Sequence, residues 1–148
     1  MAQAPAMGSS DLLVVPLQSV GLDAIAQVGG KNASLGEMIR QLGPRGVAVP
    51  GGFATTAAAY RLLLAHNGLE ARLAALFDGL DTSDLTALQA SGAAARQLLL
   101  NASLPPSLEE AIRWHYQQLC EECPGSAMEV AAAAAAAVAV AVRSSATA

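Results

Sequence analysis

A single lysine stands among the eight basic residues of this 148-residue chain, and it follows a glycine pair: VGGKNASLGEMI, Val28 to Ile39. Gly29 and Gly30 admit backbone conformations barred to other residues and let a ligand come close to the main chain. An apolar periodic run begins just after them, so Asn32 or Ser34 is the expected helix cap. Ser34 and Glu37 have the spacing of a capping box. Unpaired N–H groups and the positive end of the dipole make such a helix start receptive to anions. The compact ammonium of Lys31 would suit a phosphate oxygen. The stretch is not a P-loop, which requires Ser or Thr directly after the lysine, where this chain has Asn32. Taken alone, it reads first as a turn with an exposed lysine.

The second candidate is VAVRSSATA, at the other end of the chain. Arg143 follows alternating valines, Val138, Val140 and Val142, which predict a strand ending near it. A guanidinium can grip two phosphate oxygens in a fork, with the hydroxyls of Ser144 and Ser145 completing a cradle. The plain alternative is a solvated arginine at a frayed end. His66 and His115 read as helix-surface or packing histidines. Glu109-Glu110 and Glu121-Glu122 read as solvated helix charge. Cys120 and Cys123 lack the further ligands of a zinc site and read as reduced structural thiols.

The elements that must position these residues are short. LLVVPLQ, Leu12 to Gln18, suits an edge strand because Pro16 interrupts it. Leu35, Met38, Ile39 and Leu42 follow the helical i, i+3, i+4, i+7 rule, closed by Gly43 and Pro44. GVAVPGGFATT predicts strand, turn and strand. Thr55 or Thr56 caps a helix whose Ala57, Tyr60 and Leu64 share a face, and Asn67-Gly68 ends it. Short helices are predicted over Leu69 to Phe77 and Asp84 to Leu100, the latter weakened by Ser91-Gly92. A longer one starts in PPSLEEAIRWHYQQL, with Ser107 and Glu110 at capping-box spacing and a stripe of Leu108, Ile112, Tyr116 and Leu119. Alanines 131–137 are low-complexity sequence with little to pack against.

Hydrophobic residues make up 53% of the chain and aromatics 3%. Much of that apolar share is alanine, so the expected core is leucine and valine, anchored by Phe53, Phe77, Trp114, Tyr60 and Tyr116. A net charge of −4 offers no electrostatic footprint for nucleic acid or for an anionic membrane. The longest uncharged apolar run, Val130 to Val142, falls short of the roughly 20 residues that span a bilayer. Residues 1–11 lack the basic region of a secretory signal and the arginines of a transit peptide, and read as a disordered cytoplasmic N-terminus. Residues 12–148 read as one domain.

GGKNASLGEM, then GFATTAAAYR, then VAVRSSATA resemble, in that order, the nucleotide-binding domain of the phosphoenolpyruvate synthase and pyruvate phosphate dikinase family, closer in wording to the synthase (pyruvate, water dikinase) branch. The resemblance implies an α/β (α+β) fold, helix-rich with a few short strands: the first lobe of an ATP-grasp domain, making residues 12–148 a partial domain. In the family, ATP phosphorylates a histidine on a separate domain, which passes the phosphate to pyruvate bound on a third. AMP, phosphate and phosphoenolpyruvate leave. The resemblance places Lys31 and Arg143 on the ATP phosphates, with Ser144 and Ser145 beside them. It puts the magnesium ligands, the phosphohistidine and the pyruvate site outside this chain, which is therefore expected to be inactive alone. A lobe cut from its partner half would expose apolar surface and self-associate. The rival readings are a non-catalytic interaction module and the ATP-binding lobe of an antibiotic phosphotransferase.

Overall fold

The computed structural model describes residues 12–122 and 139–147. The expected N-terminal tail, the alanine tract and Cys123 lie outside them. The described chain is mixed α/β and helix-rich, with one two-stranded sheet, and it divides into two units. One holds the residues up to Ala59 and those from Ser107 onward; the other runs from Tyr60 to Pro106. Among the described residues no helix is long and apolar enough to cross a membrane.

In the first unit, β1 (Val14–Pro16) pairs antiparallel with β2 (Phe53–Thr55), Val15 opposite Ala54. Leu17 N–H donating to Gly52 O and Thr56 N–H donating to Leu13 O extend the pairing at both ends, at 2.9 and 3.0 Å. A two-stranded ribbon is marginal by itself, so it survives by burying both faces. Successive strand residues point to opposite sides, and Val14 and Val15 accordingly enter different clusters. Val15 joins Leu17, Val20, Val28, Ala33 and Ala54, bordered by Leu35 and Ile39. Val14 joins Ala59 and Leu108, bordered by Phe53 and Ile112. Each fully buried valine or leucine contributes about 1.5–3 kcal/mol.

Two helices fill the chain between the strands: α1 (Ile25–Val28) and α2 (Gly30–Leu42). A methyl group at Gly36 of α2 would lie 2.3 Å from Val20 O and 2.5 Å from Leu17 O. Only glycine lets α2 press this close to the backbone leaving β1. Val47 and Val49, expected as a strand, form none: residues 47–52 run without secondary structure after a 3-10 turn at Gly43–Arg45. The valine alternation finds no neighbouring strand to pair with. Thr56 is the cap of α3 (Ala57–His66), where its Oγ1 accepts from Ala59 N–H and donates to Leu12 O. Buried Ala59, rather than half-exposed Tyr60, marks the packed face of α3 in this unit.

α6 (Pro106–Glu122) starts at Pro106, so Ser107 already lies inside the helix and the predicted capping box does not form there. Proline is favoured at a first helical position, because it lacks an N–H that would be orphaned anyway. Of the five large aromatics expected as anchors, Phe53 borders the Val14 cluster and Tyr116 is half-buried, but the other three are exposed. Phe77 is 47% exposed, Tyr60 48% and Trp114 39%. Small aliphatic residues make up the two core clusters instead.

The second unit is helical: the rest of α3, then α4 (Glu70–Phe77) and α5 (Leu85–Leu100). Gly68, at φ +61°, closes α3. Asn67 clamps that end to Ser103, donating through its amide to Ser103 O at 2.9 Å and accepting Ser103 N–H at 3.0 Å. Asp84 caps α5 by accepting from Thr86 and Ala87 N–H groups, both at 3.0 Å. The helix runs unbroken through Ser91-Gly92, because one glycine costs only about 1 kcal/mol and alanines and leucines surround it.

Candidate functional site

α2 opens at Gly29, whose φ of 81° and ψ of 159° form a backbone state that only glycine adopts easily. Neither Asn32 nor Ser34 caps the helix. Helical geometry begins at Gly30, so Ser34 lies in the second turn. Glu37 does not reach back to it: its carboxylate accepts from Arg40 at 2.6 Å and from Gln41 at 2.9 Å. Those hydrogen bonds, Gln41 first and then Arg40, hold the Glu37 carboxyl below its ordinary pKa. The Asn32 amide instead donates to Val28 O at 2.9 Å, satisfying a carbonyl at the end of α1.

The cap comes from the other end of the sequence. Ser145 Oγ accepts the Asn32 N–H at 3.3 Å, and Ala146 O accepts the Gly30 N–H at 3.2 Å. Two of the orphan donors of a helix start are thus satisfied by residues more than a hundred positions away. The approach is close enough that a methyl group on Gly29 would lie 2.3 Å from Ser145 Oγ and 2.5 Å from Ala146 O. Gly29 is buried for that reason, whereas Lys31 on the next turn of backbone is exposed.

The structure therefore brings together Gly29, Gly30 and Asn32 from one candidate motif and Ser145 and Ala146 from the other. Arg143 and Ser144 are exposed and make no hydrogen bond or ion pair among the described residues. Arg143 is two residues before Ser145, so its Cα lies within about 7 Å of the anchored residue. The strand expected to end at Arg143 is not formed. Residues 139–147 have no regular secondary structure, and Val142 is 92% exposed. The alternation of valines again found no partner edge.

The electrostatics of this end are one-signed. Lys31 has no ion-pair partner among the described residues, the first turn of α2 has no acidic residue, and the helix dipole adds positive potential. Two of the N–H groups on which an anion could have rested are already engaged, which leaves the Lys31 N–H and the side chains for an anion. Among the described residues no group of three His, Cys, Asp or Glu side chains gathers where a metal ion could be held.

One histidine lies on a helix surface and the other packs. His66 is exposed at the end of α3. His115 holds its Nδ1 at 2.9 Å from Ala111 O, and its ring stacks edge-on against Trp114 at 4.7 Å. With Phe53, these rings line a shallow cleft of about 180 Å³. Sequence reasoning missed the roles of Gly36, Asn32 and Ala146. The signal for Gly36 is a glycine inside a helix that otherwise follows the apolar period; the other two depend on contacts with no local signature.

Residues 25–148 match the family described as "Pyruvate phosphate dikinase, AMP/ATP-binding domain". The chain is 44% identical over 139 residues to the phosphoenolpyruvate synthase of Aquifex aeolicus, an alignment covering 94% of this chain and 15% of that protein. The Escherichia coli K12 phosphoenolpyruvate synthase is 43% identical over 141 residues, 95% of this chain and 16% of its own length. The Synechocystis phosphoenolpyruvate synthase is 49% identical over 109 residues, 74% of this chain and 13% of its own. The chain thus spans roughly one-sixth of the length of the curated relatives it matches. With both the GGKN turn and the RSSA segment inside the matched region, the chain belongs to the pyruvate phosphate dikinase AMP/ATP-binding domain family.

Proposed function

We propose that this chain is the first lobe of an ATP-grasp domain and binds ATP for phosphoryl transfer in a phosphoenolpyruvate-synthase-type dikinase. In that reading Lys31 and Arg143 meet the nucleotide phosphates, with Ser144 and Ser145 beside them. ATP would phosphorylate a histidine outside this chain, and pyruvate would be the final acceptor on a further domain. The observation that carries the reading is the meeting of the two basic motifs at one end of α2, although 113 positions separate Asn32 from Ser145. A positive helix end flanked by a lysine and an arginine without acidic partners suits a polyphosphate, whose transfer depends on positioning and charge neutralisation.

The phosphates would be held mainly by side chains, since the Gly30 and Asn32 N–H groups are taken and only the Lys31 N–H of that turn is left. A forked guanidinium and a point-charge ammonium are complementary in that task and do not replace each other. Among the described residues no carboxylate set gathers for magnesium, whose ligands would lie outside this chain. The names of the relatives favour a synthase acceptor over an antibiotic. Self-association through exposed apolar side chains such as Leu85 and Leu100 belongs to the same proposal, and sedimentation of the chain at several concentrations tests it.

Calorimetric titration of the 148-residue chain with magnesium-ATP, beside Lys31→Ala and Arg143→Ala, tests the binding assignment. Loss of a charge-assisted phosphate contact should weaken binding about tenfold or more in each variant. A folded parent that binds no nucleotide, or variants that bind as the parent does, would overturn it.

A further inference from the structure

We infer that Ser145 is a positioning residue, whose hydroxyl ties the Arg143–Ala146 segment to the start of α2 so that the arginine and the lysine act on one ligand. The inference rests on the nucleotide-binding reading above and divides the labour within it. Ser145 is part-buried where Arg143 and Ser144 are exposed. Its oxygen accepts the Asn32 N–H, and the next residue's carbonyl accepts the Gly30 N–H. These two contacts join segments that no other hydrogen bond among the described residues connects, and Gly29 leaves the room they need.

The arrangement has a specific consequence. Asn32 is tied in two directions, its N–H to Ser145 and its amide to Val28 O, so the turn carrying Lys31 is held between α1 and the C-terminal segment. Arg143 reaches the ligand from a stretch with no secondary structure to fix it. Its position depends on the anchored residue two places along. A serine or threonine at 145 keeps the acceptor; alanine removes it without filling or emptying much space.

Two measurements on the full chain test this together. The first is amide hydrogen exchange at Gly30 and Asn32, which needs no ligand. Ser145→Ala should raise exchange at both by about fivefold or more, as expected for loss of one neutral hydrogen bond, while Ser145→Thr should restore protection. The second is a double-mutant cycle between Lys31→Ala and Arg143→Ala for ATP binding, run with Ser145 and with Ser145→Ala. Coupling present with serine and lost with alanine is expected. Unchanged exchange in Ser145→Ala, or unchanged coupling, overturns the inference. If the parent binds no ATP while exchange responds as expected, the nucleotide reading fails and the positioning role falls with it, leaving only a structural clip.

Discussion

The unit built around the β1–β2 ribbon and the helical unit from Tyr60 to Pro106 differ in whether glycine is needed for close approach. In the first, Gly29 and Gly36 sit where another part of the chain occupies the space a side chain would need, although Gly30, Gly43, Gly46 and Gly51 do not. In the second, Gly68, Gly79 and Gly92 have open space at the same position. Burial follows the same division. The two core clusters belong to the first unit, whereas α4 and α5 contain no buried residue. One unit is therefore organised by close approach between distant segments. The other is organised by the local Asp84 cap and by a polar clamp, Asn67 to Ser103, with little buried apolar surface.

This contrast predicts where substitutions hurt. Gly36→Ala should have the largest effect, because the obstructing atoms are backbone carbonyls that cannot rotate away. We expect a loss of about 3 kcal/mol or failure to fold, read from urea denaturation; a loss below about 0.5 kcal/mol would mean that α2 tolerates a shift away from β1. Thr56→Val keeps the shape but removes the cap and leaves Leu12 O and Ala59 N–H without their partner. A loss of about 2 kcal/mol is expected in the same assay.

In the helical unit the sign reverses. Gly92→Ala meets nothing and gains helix propensity, so it should raise stability by about 1 kcal/mol, visible as a higher thermal midpoint. A destabilised Gly92→Ala would show that α5 is more closely packed than the contrast allows. The smallest effect belongs to Glu37. Its folded pKa is depressed, so its contribution is fully present above the unfolded glutamate value and is lost as pH falls through the folded one. The stability difference between the parent and Glu37→Gln should be constant above about pH 5 and shrink below it. The surface position and salt screening keep it small.

The same contrast explains which elements could be read in advance. In the helical unit, α4 and α5 begin one residue from their expected starts and end where expected, because Asp84 and Gly68 are local signals. Errors concentrate where pairing decides. Val47 and Val49 alternate without becoming a strand, and Val140 and Val142 do likewise, since a strand needs a partner edge that periodicity does not supply. Pro16 marked an edge strand, and the ribbon indeed uses it at the end of β1, opposite Phe53.

For the candidate site, residue types suggested phosphate binding, with one lysine behind two glycines and one arginine before two serines, but each motif alone read first as solvated surface. The order of these motifs also carried the family, which the matches bear out. What the linear chain did not contain was the joining of its two ends. The cap of α2 was sought in Asn32 or Ser34 because capping rules are local, yet Ser145 supplies it. A hydrogen bond between residues 113 positions apart has no periodicity and no spacing rule. It depends on tertiary packing, in which Gly29 leaves room for the returning backbone of Ser145 and Ala146.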